Sequence, residues 1–397
     1  MTPPERGARY RWTILGVGTL AQASFSALSV GLPAIAPAIR ARYGLGLTEI
    51  GVVLGALGAG PLVTLLGWGL LADRIGERAV LALGLSGAAG ALVGAAWAPD
   101  YPALTVLLVL ASGSGASVAA ASGRAIMGWF GRGELGLALG IRQTAVPAGG
   151  AAGAAVLPWL DAAGGLRAAF LALAGSCLVG AIAGGNWLRE PPMHRGAYEE
   201  LRETVPTPLR DRRMWLLAGG SGLILVSQVC VSGFAVLFLH QTRHVSGRPA
   251  ALVLAAMQLL GGALRVGAGR WSDRIAARII PLRVLALAIT AATALAAAVV
   301  DAPLVVVVPA LVVAGALGFS WNGLSFTAAA ETAGRARTGA ALGFQQSVLW
   351  LVVAVVPVAF AAVVGATSWQ LGFAIAAACP LAGWAVLAPL REPTSRL

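Results

Sequence analysis

GWGLLADRIGER, residues 67–78, places Asp73, Arg74, Glu77 and Arg78 within six positions of a chain that is otherwise overwhelmingly apolar. A second version, GAGRWSDRIAAR, stands at 267–278, so Asp73 and Asp273 lie 200 residues apart. The repetition extends well beyond this motif. LVLASGSGAS, beginning at 108, recurs as LVVAGALGFS at 311; ALGIRQT at 138 recurs as ALGFQQS at 341; LREP at 188–191 recurs at 390–393. These offsets are 203, 203 and 202. Unrelated stretches that agree on nearly one offset indicate an internal duplication.

Composition sets the environment of the repeat. Of 397 residues, 58% are hydrophobic and 11% charged, with 53 glycines and a mean hydropathy of +0.82. A soluble protein of this size needs far more surface charge. Apolar runs of roughly 20 residues, enough to cross a hydrocarbon core of about 30 Å, follow one another along almost the whole length. The expected fold class is an all-α polytopic membrane protein. Its predicted spans are 12–36, 48–70, 79–98, 103–126, 136–160 and 166–188 in the first half. The second half contains 214–239, 249–270, 281–300, 303–329, 339–364 and 369–389. The domain reading is a six-helix bundle over 1–188, a polar cytoplasmic linker over 189–213 with a short surface helix around Tyr198 to Glu203, and a second six-helix bundle over 214–397.

The basic residues orient the chain. All 28 are arginine, a preference that a G+C-rich genome would also produce. Arg6, Arg9 and Arg11 precede the first apolar run, which resembles a signal peptide. Eleven further apolar segments follow, so this run is read as an uncleaved first helix with its N-terminus in the cytoplasm. The outer loops then hold only Arg40, Arg42, Arg167, Arg243 and Arg248; three arginines fall within spans and the remainder lie on the cytoplasmic side. That asymmetry follows the positive-inside rule and puts both termini in the cytoplasm. Net charge of +12 thus reflects membrane topology, and no nucleic-acid partner is expected. Cys177, Cys230 and Cys379 each lie inside an apolar segment, without metal-ligand spacing.

On these residues the chain resembles the major facilitator superfamily over essentially its full length. That family's first intracellular loop has the form G-x-L-x-D-R-x-G-R-R, matched by Gly69, Leu71, Asp73, Arg74, Gly76 and Arg78, with Glu77 replacing the first of the two basic residues. TEIGVVLGALGAGPLVTLLGWG, which leads into it, is also typical. The resemblance implies two pseudo-symmetric six-helix bundles that rock around a site near the bilayer midplane, alternately opening it to either side. An even number of helices per repeat relates the halves by an axis along the membrane normal.

The motif itself reads as a tight cytoplasmic turn, with Gly69 and Gly76 permitting close approach and unusual dihedrals. The resemblance implies that Asp73 meets the N-terminus of the eleventh helix, whose positive dipole end favours a carboxylate, and so latches the outward-facing state. The alternative is a solvated turn. In the second copy Asp273 and Arg274 remain while Ala276 replaces Gly76, which makes the first loop the stronger gate candidate.

Charges within the spans are few. Arg124, Arg142 and Arg265 each cost roughly 2.5 to 3.5 kcal/mol at mid-membrane, so they are expected to face a partner or a watery cavity. Arg124 lies near a cytoplasmic end and can snorkel. Arg265 lies eight residues before Asp273, with Gln258 two turns earlier on the same helical face. Monocarboxylate, oxalate and nitrate carriers of the superfamily are similar here, placing an arginine in the eighth helix at about this spacing to hold the anion. Leu65 stands at the first-half equivalent, where nitrate carriers have a second arginine. The alternative is a cytoplasmic anchor.

Arg142 and Gln143 lie in IRQTAVPAGGAAG, where Pro147 is expected to kink the fifth helix. Gly149 and Gly153 allow another helix close. Gln345 and Gln346 in the eleventh helix are the counterparts that would complete a polar ring with Arg142; interhelical packing is the alternative. Gln22, Ser26 and Ser29 share a face of the first helix, and Gln228 and Ser232 share one in the seventh. Trp321 and Asn322 interrupt the tenth. The resemblance implies that the first, fourth, seventh and tenth helices line the cavity.

What the spans lack also discriminates. Glu49, Asp100, Asp161, Asp301 and Glu331 all lie near ends or in loops, which argues against a proton relay through an intramembrane carboxylate. The spans contain no Ser/His, metal or paired-carboxylate constellation, so neither an enzyme nor a cofactor is expected. His240 and His244 read as loop residues. The resulting expectation is a monomeric secondary transporter of the inner membrane. It moves a small anion such as a monocarboxylate, either with a coupling proton or by exchange. The alternative is efflux of hydrophobic or drug-like compounds.

Overall fold

The computed structural model describes residues 3–130, 134–189, 210–334 and 338–392, and every regular element among them is helical. The linker expected over 189–213, its surface helix, and the side chain of Arg124 fall largely or wholly outside the described residues. Two compact units divide the chain. One comprises Met1–Leu45 with Val52–Met193, the other Gly46–Gly51 with His194–Leu397.

The first unit contains α1 (Pro3–Ser29), a 3-10 turn (Leu32–Ile35), α2 (Ala36–Tyr43), most of α3 (Leu47–Ile75), α4 (Glu77–Ala95), α5 (Tyr101–Gly115), α6 (Ser117–Trp129) and α7 (Leu135–Trp187). The second contains α8 (Arg212–Gln241), α9 (Gly247–Arg274), α10 (Ile279–Ala298), α11 (Leu304–Gly318), α12 (Asn322–Ala333), α13 (Thr338–Ala366) and α14 (Trp369–Leu387). Among the described residues, eleven helical stretches are long and apolar enough to cross a membrane. One of them, Gly140–Trp187, has 48 residues, or about 70 Å of helix at ~1.5 Å per residue, more than twice a bilayer core. Its backbone leaves the helical region at Gly164 (φ −143°, ψ 16°) and Gly165 (φ 70°, ψ −177°), so this stretch is two crossings. Large apolar side chains remain uncovered along the spans, Val63 at 79% and Val305 at 78% exposure, as lipid-facing residues do.

One expectation about helix shape changes. The first span does not run through residue 36. α1 stops at Ser29, and Pro33 and Pro37, which lack N–H groups, shape a 3-10 turn and then a separate short helix reaching Tyr43. Arg40 and Arg42 consequently sit on a helix rather than in a loop. In α7 the residues outside the helical region are Gly164 and Gly165, while Pro147 lies within the helix.

Small residues set the packing in unit 1. A Cβ on Gly149 would lie 2.2 Å from the Ala23 carbonyl oxygen, and one on Gly153 would lie 2.8 Å from that of Ala27, so α7 rests directly on the backbone of α1. The fourth and tenth crossings each have a short break in regular helix at corresponding places, across which Ala116, Phe319 and Trp321 keep right-handed helical dihedrals. α5 ends at Gly115 and α11 at Gly318, 203 residues apart.

Candidate functional site

In unit 1 the side chains converge on Arg142, on the buried face of α7 and 6% exposed. Its Nε donates to Ser122 Oγ on α6 at 2.9 Å, and its Nη2 donates to Gln22 Oε1 on α1 at 2.9 Å and to the Val118 carbonyl at 3.5 Å. Ser122 Oγ donates its own hydrogen bond to the Val118 carbonyl at 2.7 Å, and Gln22 Nε2 donates to Ser26 Oγ at 3.3 Å. Every partner is a neutral oxygen. Among the described residues no carboxylate pairs with Arg142, and its Nη1 donates no hydrogen bond. The face of Gly123 lies beside the guanidinium, where a Cβ would stand 3.9 Å from Cζ and Nη1. Neutral acceptors hold a buried cation without neutralising it, and a guanidinium matches the geometry of a carboxylate-like group. Gln143 is half-buried next to it.

The break between α5 and α6 adjoins this cluster. Thr64 Oγ1 and Trp68 Nε1 of α3 both donate to the Gly113 carbonyl at 2.7 Å, satisfying an acceptor in the last turn of α5.

Unit 2 repeats the arrangement with neutral groups. Gln345 Nε2 donates to Ser325 Oγ, and at 3.5 Å to Ser221 Oγ, while the two serine hydroxyls lie 2.6 Å apart. Ser325 stands 203 residues after Ser122, as Gln345 does after Arg142. The duplication has thus preserved a contact between the fifth and fourth crossings of each half while changing its charge. Gln346 is half-buried beside Gln345.

Arg265, on α9 and 8% exposed, donates from Nε to the Phe319 carbonyl at 3.0 Å and from Nη2 to Asn322 Oδ1 at 2.8 Å. It therefore spans the break between α11 and α12, as Thr64 and Trp68 serve the break in unit 1. Gln258 is fully buried two turns away on the same helix. Trp321 and Gln228 both lie in packed surroundings, and Trp321 Nε1 and Gln228 Oε1 are buried with no hydrogen-bond partner among the described residues. Trp321 is fully buried in the apolar core of unit 2, among Leu217, Ile224, Leu282 and Leu349, because the break turns its large indole inward. The Cα and Cβ of Gln228 press on Gly318, and Ser232 donates to the Gln228 backbone carbonyl at 2.6 Å rather than to its amide.

The two charged turns differ in how they are held. Gly76 adopts φ 85°, ψ 161°, a conformation closed to residues with a Cβ. Asp73 and Arg74 are exposed at the end of α3, and Arg78 Nε donates to the Gly185 carbonyl at 2.6 Å. At Gly69 a Cβ would meet nothing within 4 Å among the described residues. In the second turn Ala276, 200 residues after Gly76, also has positive φ, at 49°. Here Arg278 gathers the charges. It pairs with Asp273 at 2.5 Å and Glu331 at 3.1 Å, and donates to Ser272 Oγ at 2.7 Å, while Arg274 is exposed. Burial disfavours the Arg278 charge, but hydrogen bonds and attraction from Asp273 and Glu331 outweigh it and hold its pKa above the ordinary value. Glu392 accepts from the backbone N–H groups of Arg278, Ile279 and Ile280 at 2.6, 3.1 and 2.7 Å, capping α10.

Ser122, Ser221, Ser325, Arg278 and Glu392 are residues that motif reading passed over. The repeat offset pairs Ser122 with Ser325, and LREP contains Glu392. Ser221 carries no comparable signal.

Comparison with known proteins agrees with this architecture. Residues 15–357 match the profile described as Major Facilitator Superfamily. An uncharacterized MFS-type transporter of Mycobacterium tuberculosis (strain ATCC 25618 / H37Rv) is 31% identical over 392 residues, covering 98% of this chain and 87% of the relative. Among solved structures, a D-xylose–proton symporter superposes with a TM-score of 0.78 at 17% identity, covering 97% of this chain and 99% of the other. An inward-facing, occupied bacterial homologue of the human lysosomal transporter Spinster gives 0.74 at 16%, covering 96% and 95%.

Proposed function

The chain belongs to the major facilitator superfamily, and from that premise we propose that this membrane transporter moves a small anion, with Arg142 as the principal charge partner. The supporting observation is that Arg142 is buried and held only by Gln22, Ser122 and Val118, all neutral, with Nη1 left for a ligand. A structural arginine at this depth would ordinarily be matched by a carboxylate. Arg265 gives the second unit its own buried cation, seated on the break of the tenth crossing. Gln143, Gln258, Asn322, Gln345 and Gln346 are polar groups able to add hydrogen bonds to such a substrate.

The substrate class is a monocarboxylate or a similarly small anion, and transport is secondary active, by proton cotransport or exchange. The protein works as a monomer in the inner membrane with both termini in the cytoplasm. Asp73, Arg74, Gly76 and Arg78 form the stronger gate, and Asp273 with Arg274 the weaker, each biasing which way the site opens.

Thermal stabilisation of the purified protein by a ligand panel tests the charge preference, since a ligand that binds only the folded state raises the melting midpoint. Small carboxylates are expected to stabilise it where cations of similar size do not. Stabilisation by hydrophobic cations alone would favour the other reading, efflux of drug-like compounds.

A further inference from the structure

At the end of unit 1 opposite Gly76, three connections converge: the end of α2, the turn between α4 and α5, and the break in α7. They enclose a cleft of about 400 Å³ whose lining includes Arg42, Tyr43, Trp97, Gly165 and Arg167. The arginine distribution assigns this end to the outer side, where basic residues are sparse. Two of the five outer arginines nevertheless line this one cleft.

The way they are held sets them apart. Arg40 Nε donates to the Leu45 carbonyl at 2.8 Å and Arg243 Nη2 to the Ala302 carbonyl at 2.5 Å, so those two arginines brace the backbone. Arg167 instead lies with Cζ 4.9 Å from the Trp97 ring centroid, and Arg42 with Cζ 5.6 Å from that of Tyr43. Among the described residues neither donates a hydrogen bond or pairs with a carboxylate. An aromatic face supports a guanidinium through its plane and leaves the edge N–H groups directed outward. The platform is itself fixed: the Tyr43 hydroxyl donates to the Ala98 carbonyl at 3.0 Å. Asp100, which follows the turn, spends Oδ1 on the Ala103 N–H at 2.8 Å as the cap of α5.

The duplication supplies an internal control. Arg40 and Gly44 have counterparts Arg243 and Gly247 at the 203-residue offset, whereas Arg42, Tyr43 and Arg167 correspond to Val245, Ser246 and Gln370. The backbone-bracing arginine is shared by both halves, but the cleft cations are not, so the repeat does not need them to fold.

We propose that this cleft is a second anion site, separate from Arg142, that takes a phosphate group on the free edges of Arg42 and Arg167. The phosphate can belong to an anionic lipid headgroup of the outer leaflet or to a free phosphate. Trp97, 54% exposed at the rim, leaves the cleft open to either source.

The test uses the full-length purified protein in two arms: retention of phosphatidylglycerol measured by native mass spectrometry, and thermal stabilisation by inorganic phosphate. Replacing both cations, Arg42→Gln with Arg167→Gln, should weaken binding about tenfold or more in the arm that carries it, since charge-assisted hydrogen bonds are lost. Lysine at both positions should retain part of it, and Arg248→Gln, an exposed outer arginine that does not line the cleft, should change nothing. Loss confined to the lipid arm identifies a headgroup site, and loss confined to the phosphate arm a site for the free ion. Single Arg167→Gln and the double lysine variant keep the test decisive should the double glutamine variant fail to fold. Equal binding by wild type and glutamine variants in both arms, or an equal loss in Arg248→Gln, would overturn the proposal.

Discussion

Ser122 receives the Nε–H of Arg142 at 2.9 Å from twenty residues away in sequence. Gln345 and Ser325 meet across the same separation in the second unit. One contact has therefore been copied with the chain, and only in the first copy does it carry a charge. Ser122 holds the cation in place without neutralising it.

Ser122→Ala should leave the fold intact and loosen Arg142. The hydroxyl makes a bond to the guanidinium and one to Val118, and the net loss is about 1 to 2 kcal/mol. Initial-rate uptake should show KM for the anion raised several-fold, with a smaller change in the maximal rate. An unchanged KM would remove Ser122 from the site.

Gly149→Ala should be poorly tolerated, because its methyl would stand 2.2 Å from the Ala23 carbonyl oxygen. Overpacking of this kind costs about 1 to 3 kcal/mol, and the melting midpoint in detergent should fall. Gly140→Ala, with nothing within 4 Å among the described residues, is the matched control and should be neutral or slightly stabilising.

Gly76→Ala should destabilise by about 1 to 3 kcal/mol, since φ 85° with ψ 161° is closed to alanine. Gly69→Ala should stabilise α3 slightly, by roughly 0.5 to 1 kcal/mol. Thermal melts of the two variants side by side separate a conformational role from motif membership; equal losses would contradict the assignment.

Glu392→Gln removes the charge that caps three backbone N–H groups at the start of α10. A loss of about 1 kcal/mol is expected, reduced at high salt. A melting midpoint insensitive to the substitution at low and high salt would show that the cap contributes nothing.

The fold was legible in the sequence because burial in lipid demands long apolar runs, and duplication makes independent stretches repeat. The same logic exposed Arg142 and Arg265, whose charge is conspicuous in such a background. It did not expose Ser122 or Ser325, since a lone serine in an apolar helix looks identical whether it packs or binds. The break between Gly318 and Asn322 was signalled by a polar Asn322, whereas the one after Gly115 follows only small residues that are common in membrane helices. Gly69 was legible only as part of a motif, and its surroundings among the described residues are open.

Counterflow of a small monocarboxylate in proteoliposomes, comparing wild type with Arg142→Gln and Arg142→Lys, tests the central claim most directly. Arg142→Gln should reduce exchange at least about a hundredfold, because a buried charge-assisted pair is lost, while Arg142→Lys keeps the charge and should retain measurable exchange at a raised KM. Full exchange by a well-folded Arg142→Gln protein would contradict the account.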